Sequence, residues 1–262
     1  MHHNSVLIEN LSFTYSDGTK ALTGIHLAIE ATERVAIVGA NGSGKSTLLL
    51  HLNGLILPQI GRVVIGQQEI TPKNLQWIRN NMGLVFQNPD DQIFMPTVWE
   101  DLQFGPKNQG LNEEVIQKRC QQALQAVGLD PHLYSSRNAH HLSGGEKKRV
   151  AIAGVLAMQP QILALDEPSA QLDPRSRRQL IDLLRPLPLT YLIATHDLDL
   201  ALELCDRIIV LSQGQVVRDG PTEEILSDSE TLEQYHLESP LSYSRPYCLL
   251  QDQPYPQISR KQ

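Results

Sequence analysis

The stretch GANGSGKST, residues 39–47, sets one lysine and several hydroxyls behind glycines. It fits G-x-x-x-x-G-K-[ST] at every fixed position: Gly39, Gly44, Lys45 and Ser46. In such a loop the backbone N–H groups of Ala40, Asn41, Gly42, Ser43 and Thr47 can turn toward phosphate oxygens, and a helix N-terminus adds positive potential. Lys45 then reaches the outer phosphates of ATP, and the Ser46 hydroxyl ligates Mg2+. A second stretch, ILALDEP at 162–168, is an apolar run that ends in two acids. Asp166 is placed to hold Mg2+ through water or through the shell of Ser46. Glu167 is placed to orient or deprotonate an attacking water. A third stretch, LSGGEKKRV at 142–150, has Ser143, Gly144 and Gly145 opening a helix, which makes a second phosphate-ready helix N-terminus. A simple kinase or GTPase has no use for it.

These groups need elements to hold them. Short β-branched runs at 6–10, 25–30, 34–38, 62–65, 82–86, 161–165, 190–195 and 207–211 read as strands, with Ser16-Asp17-Gly18 as a turn. Helical patterns start at Lys45 and recur near 175–184 and 198–204. The alternation predicts an α/β fold with a mostly parallel sheet. The glycine loop, Gln87, Asp166–Glu167 and His196 each follow the end of a different predicted strand. In a parallel sheet those ends share one edge, where ligands bind. Between 87 and 141 the strand signal disappears. Asn112 caps a helix that carries Glu113 and Glu114 in its first turn and ends at Gly128. Residues 89–154 therefore read as a helical subdomain inserted into the α/β core. After about 228 the pattern weakens, and Pro240, Pro246, Pro254 and Pro256 punctuate a tyrosine-rich tail.

Composition narrows the class. The chain has 262 residues, 41% hydrophobic, with a net charge of −7. That is enough apolar matter for a full core, and the acidic balance gives no bias toward nucleic acid. No apolar run approaches the ~18–20 residues of a membrane helix, so work at a membrane would go through a partner. The N-terminus shows no basic region followed by an apolar core, so no signal peptide is expected. Three scattered cysteines, Cys120, Cys205 and Cys248, suggest a reducing compartment.

With these motifs in this order, residues 1 to about 226 resemble the nucleotide-binding subunit of an ABC transporter. The resemblance implies a P-loop ATPase core with an antiparallel β subdomain, spanning 1–227, and an extension over 228–262 of unassigned role. It implies catalytic roles for Lys45, Gln87, Glu167 and His196, and a Mg2+ shell of Ser46, Gln87 and Asp166. Tyr15 matches the aromatic that stacks on adenine. Ser143, Gly144 and Gly145 would complete the ATP site of a second subunit. One departure is Gln171, where the family's loop at 169–173 commonly has a small residue.

The stretch FQNPDDQIFMPTVWEDLQFGP at 86–106 mixes acids with large apolar groups on an interrupted segment. It is similar to the segment after the Q-loop in ATPases of energy-coupling-factor (ECF) importers, above all the cobalt/nickel branch. The resemblance implies a groove for a transmembrane coupling subunit, which itself joins a substrate-binding membrane subunit. Phe94, Met95 and Trp99 would give apolar contact, and Asp90, Asp91 and Glu100 would pair with partner arginines. The same resemblance implies a homodimer, or a heterodimer with a similar ATPase, at the cytoplasmic face of the cell membrane. The alternatives are a vitamin importer of the same type, another membrane complex, or a soluble ABC ATPase in DNA repair or translation. The last lacks its expected features here: a second cassette, sustained heptads or a basic tract. Direct metal sensing by His2, His3, His140 or His141 has no helical ligand spacing in its favour.

Overall fold

The computed structural model describes residues 4–243. His2, His3, Cys248 and the prolines from Pro246 onward lie outside the described residues.

The strands form two sheets. One is antiparallel, in the order β2 (Lys20–Glu30), β1 (Asn4–Thr14), β4 (Ile60–Ile65), β5 (Gln68–Glu69). The other has six strands, in the order β10 (Gln215–Pro221), β9 (Arg207–Ser212), β3 (Arg34–Val38), β8 (Thr190–Thr195), β7 (Ile162–Asp166), β6 (Met82–Val85). In it β9, β3, β8, β7 and β6 run parallel, and β10 turns back antiparallel. This is the α/β architecture expected from the strand-helix alternation.

The near-continuous apolar runs follow from burial on both faces. Along β3, Ala36 and Val38 join one hydrophobic cluster, while Val35 and Ile37 join the other. The strands β7, β8 and β9 split the same way. Leu163, Ile193 and Val210 face the first cluster; Ala164, Leu192 and Ile209 face the second. The second cluster is closed by α1 (Lys45–Leu52) and the antiparallel sheet, through Leu48, Leu52, Ile8 and Val63.

The first cluster is covered by helices. Between β6 and β7 come α3 (Val98–Asn108), α4 (Glu113–Ala126), the short α5 (Pro131–Tyr134) and α6 (Gly144–Ala157); α2 (Leu75–Asn81) precedes β6. Asn112 caps α4 by accepting from the Val115 N–H at 2.9 Å. Ile116, Cys120, Ala123 and Leu124 are buried, as the spacing predicts. The helix α6 runs to Ala157, and its last turns pack on β6. A Cβ at Gly83 would lie 2.1 Å from a Val155 methyl. The helices α7 (Pro174–Leu184) and α8 (Leu198–Leu204) complete the layer.

Packing also continues past 228. The helices α9 (Thr222–Ser227) and α10 (Ser229–Gln234) lead to Leu237, and Leu232 and Leu237 are buried in the same cluster as β9. The pattern was too short to read because each helix has only six residues. Among the described residues, no helix is long and apolar enough to cross a membrane.

Candidate nucleotide site

Residues 39–47 leave β3 and wrap before α1. Gly44 caps that helix at φ +107, a conformation that side chains avoid. A Cβ there would lie 2.6 Å from the Ala21 carbonyl oxygen, and one at Gly39 would lie 2.2 Å from the Leu211 carbonyl oxygen. The loop is wedged between β2 and the end of β9. Lys45 is buried, and its Nζ donates to the carbonyls of Gly39 at 2.8 Å and Ala40 at 3.2 Å. It stands 3.7 Å from Glu167 Oε1.

Glu167 follows β7 at φ +44, a left-handed conformation that is uncommon outside glycine and clusters at functional sites. Its N–H donates to the Ala194 carbonyl at 2.8 Å, which ties it to β8. Its Oε2 accepts from the Thr195 hydroxyl and the His196 N–H, both at 3.3 Å, and lies 2.9 Å from His196 Nδ1. The carboxylate is thus buried and aimed, while the His196 ring is 62% exposed.

Asp166 is a half-buried acid with one buried oxygen to spare. Oδ1 has no hydrogen-bond partner. Burial pushes the carboxyl up, the Ser46 hydroxyl opposes this, and Glu167 adds to the rise. A hard cation takes oxygen ligands of this kind, keeping several waters and bridging to phosphates. The unpartnered Asp166 oxygen beside Ser46 therefore fits Mg2+.

A cavity of about 430 Å³ gathers Tyr15, Asn41, Gly42, Ser43, Gly44, Lys45, Ser46, Thr47, Gln87, Glu167 and His196. This volume lies within the range of small-molecule and cofactor sites. Tyr15 is 38% exposed; its hydroxyl bonds Thr47 Oγ1 at 3.0 Å, and its ring sits edge-on to Phe13. Thr19, Lys20 and Ala21 also line the cavity. Sequence reasoning missed them, because nothing in the hairpin pattern says which side of the turn faces the loop.

Ser143, Gly144 and Gly145 are not among the residues lining this cavity. They open α6, where Ser143 and Glu146 form a reciprocal capping box. Glu146 also accepts from the Tyr134 hydroxyl at 2.7 Å and pairs with Arg137 at 3.0 Å. The Tyr134 hydrogen bond, then the Ser143 N–H, hold its carboxyl down to about 2. Ser143 and Gly144 are exposed. In the loop after β7, Gln171 adopts φ +62, which gives a physical reason for a small residue there. The Ser169 hydroxyl and Arg177 both bond Asp197, tying that loop to the segment after His196.

The segment after Gln87 differs in part from expectation. Asp90 pairs with Lys147 of the same chain at 2.6 Å, and Glu100 closes a capping box with Thr97. Those two acids are satisfied internally, and Asp91 remains exposed. Met95 and Trp99 are half-buried, and Trp99 packs against the core. Phe94 is exposed, in edge-on contact with Phe104, which is also exposed. Lys148 is a residue the motif reading overlooked. It is buried, and its Nζ donates to the Gln87 carbonyl at 2.5 Å. Its signal was in the helix period: position 148 lies on one stripe with buried Ala151, Ile152 and Val155. His140 and His141 are exposed. Among the described residues, no three or more His, Cys, Asp or Glu side chains cluster as metal ligands.

A family model described as ABC transporter matches residues 22–170. The chain belongs to the ABC transporter family of ATPases. A putative ABC transporter ATP-binding protein from Gloeobacter violaceus is 56% identical over 92% of this chain and 98% of its own length. The energy-coupling factor transporter ATP-binding protein EcfA of Methanothermobacter thermautotrophicus is 45% identical over 89% of this chain and 76% of its own. Among solved structures, cbiO1 of Clostridium perfringens, described as part of the ABC transporter complex cbiONQ, superposes with a TM-score of 0.77. It is 39% identical and covers 88% of this chain and 94% of its own. The matched range includes the loop at 39–47, Gln87, the 142–146 stretch, Asp166 and Glu167. The ECF type is the branch of the family that these relatives support.

Proposed function

We propose that this ABC ATPase powers import by an ECF-type membrane transporter, with cobalt or nickel ions as the cargo. The observation that carries the ATPase chemistry is convergence. Lys45, Gln87, Glu167 and His196 follow four strand ends of the parallel sheet and line one cavity. The import reading rests on the 86–106 stretch, on the exposed Phe94–Phe104 pair and on the likeness to a subunit of cbiONQ.

In this reading ATP phosphates replace the Gly39 and Ala40 carbonyls as acceptors for Lys45. The N–H groups of the loop cradle the phosphates, and Tyr15 stacks on adenine. Ser46, Asp166 and Gln87 would hold Mg2+, which when bound neutralises charge on the β and γ phosphates. Glu167 orients the attacking water and takes its proton. His196, hydrogen-bonded through Nδ1, fixes that carboxylate. Because catalysis here is mostly positioning, the strain at Glu167 is a reasonable cost of aiming it.

Ser143, Gly144 and Gly145 sit at an exposed helix N-terminus away from this cavity. A second copy, or a similar ATPase, therefore presents them to the γ-phosphate. Two chains then sandwich two ATP molecules head to tail, and hydrolysis releases the bridge. The surface bearing Phe94 and Phe104 receives a transmembrane coupling subunit, which joins a substrate-binding membrane subunit. The chain works as a peripheral protein at the cytoplasmic face of the membrane.

The test is a tagged pull-down from detergent-solubilised membranes, read by mass spectrometry. Two membrane subunits with no other ATPase support a homodimeric metal importer. A second, similar ATPase would move the reading to the shared vitamin type. ATP hydrolysis with no membrane protein retained would sink the import reading.

A further inference from the structure

Three polar ties join the first turns of α6 to the segment after β6. Lys147 Nζ pairs with Asp90 at 2.6 Å. Gln92 accepts from the Phe86 N–H at 3.1 Å and donates to the Ala151 carbonyl at 2.9 Å. Lys148 Nζ donates to the carbonyls of Gln87 at 2.5 Å and Phe86 at 3.5 Å. The first tie is partly exposed, since the Asp90 side chain is 56% accessible, and such pairs contribute little. Lys148 differs from it. It is 3% exposed, a buried charge bonded to the backbone of Gln87, which lines the nucleotide cavity. Burial pushes its ammonium down to about 8, while Asp166 and Glu167 act to hold the proton on.

A buried lysine is costly unless something keeps it charged and bonded. Here its hydrogen bonds go to backbone carbonyls at residues 86 and 87, and its compensating charges are Asp166 and Glu167 at the end of β7. An apolar side chain would fill the same volume in a stripe that is otherwise apolar. The lysine therefore earns its place through what it joins. It ties the backbone of Gln87 directly to a helix whose N-cap, five residues earlier, is Ser143.

We propose that Lys148 is a positioning residue that transmits the state of Gln87 in one ATP site to the Ser143–Gly145 surface that completes the other. The inference rests on the two-site reading above. When Gln87 moves toward a bound γ-phosphate, its carbonyl draws Lys148, and α6 follows as a rigid element. The capping box at Ser143 and the Glu146 contacts to Tyr134 and Arg137 stop that motion from being lost at the helix end. Occupancy of one site thus orients the surface that its partner needs.

The experiment uses the full chain carrying Glu167→Gln, which blocks turnover so that ATP accumulates on the protein. ATP affinity is measured by equilibrium binding, and ATP-driven association by sedimentation. Adding Lys148→Met should weaken ATP-driven association by about tenfold or more, a size typical of site-to-site coupling. ATP affinity of the dilute monomer should stay within about threefold, and Lys148→Arg should restore association. Equal loss of ATP affinity and association, or unchanged association, would overturn the proposal. So would failure of Lys148→Arg to restore it. If Lys148→Met does not fold, Gln92→Ala tests the same junction, and unchanged association in it counts against the proposal. If Glu167→Gln alone binds ATP but never associates, the two-site reading itself falls, and this inference falls with it.

Discussion

Replacing Glu167 by glutamine separates chemistry from binding. The side chain keeps its shape, so one amide oxygen still accepts from the Thr195 hydroxyl and the His196 N–H. Two things are lost: a base for the water, and a negative charge 3.7 Å from Lys45. The first loss sets the rate. General-base catalysis is worth roughly 10²–10⁴-fold, so kcat should fall at least ~10²-fold, about 2.7 kcal/mol of barrier.

The second loss acts in the opposite direction on ATP. Unit charges about 4 Å apart interact by ~4 kcal/mol at an effective dielectric of 20, before desolvation is subtracted. Removing that charge frees Lys45 for phosphate and removes repulsion against the phosphates themselves. If about a third of the gross figure survives, ATP binds roughly tenfold more tightly, since tenfold is ~1.4 kcal/mol. The assay pairs phosphate release with equilibrium ATP binding on the same protein. Hydrolysis within a few-fold of wild type would remove Glu167 from its role. Hydrolysis and ATP affinity lost together would show that Glu167 only supports the loop.

Three further outcomes follow from particular residues. Leu232→Ala, at a position 1% exposed, should cost ~2–5 kcal/mol in denaturant unfolding; a cost near zero would mean that α10 is not part of the core. Gln171→Gly should stabilise by about 0.5–1 kcal/mol, the left-handed cost for a side chain less the entropy that glycine adds, and a measured loss of stability would refute a strained Gln171. Glu146 has its folded carboxyl held down to about 2, from an ordinary 4.5, chiefly by Tyr134. Its contribution is therefore full above about pH 4.5 and is lost as pH falls toward 2, so the Tm gap between wild type and Glu146→Gln should close over that window; a gap that stays constant would refute the link.

The parts of the site legible in the sequence are those where chemistry needs a fixed local spacing. The loop at 39–47 and the acids at the end of β7 declare themselves because a glycine loop and an apolar strand end are short, contiguous patterns. Gln87 and His196 were legible only through topology: each follows a strand, and parallel strands end on one edge. Lys148 escaped that logic. Its neighbours in sequence are basic and polar and mask its place on the buried stripe of α6, and the meeting of α6 with the end of β6 shows what its ammonium bonds. The hairpin residues Thr19, Lys20 and Ala21 escaped because a turn does not encode what lies across from it.

The 86–106 stretch shows how one composition divides its work. Read linearly, its acids and aromatics look like a single mixed binding surface. In space, Asp90 is matched by Lys147, and Glu100 by the cap at Thr97. Asp101 is buried and accepts from the N–H groups of Phe94 and Met95 at 3.1 and 3.2 Å. Burial raises its carboxyl, and those two N–H groups oppose the rise. Three of the acids thus build the loop from within, while Ile93 and Leu102 anchor it in the core. That internal bonding is what allows Phe94 and Phe104 to remain outside: a turn bonded through Asp101 can present an aromatic pair without collapsing onto it. The surface that a partner would meet is smaller and more apolar than the sequence suggests, and the acids serve chiefly to hold it in shape.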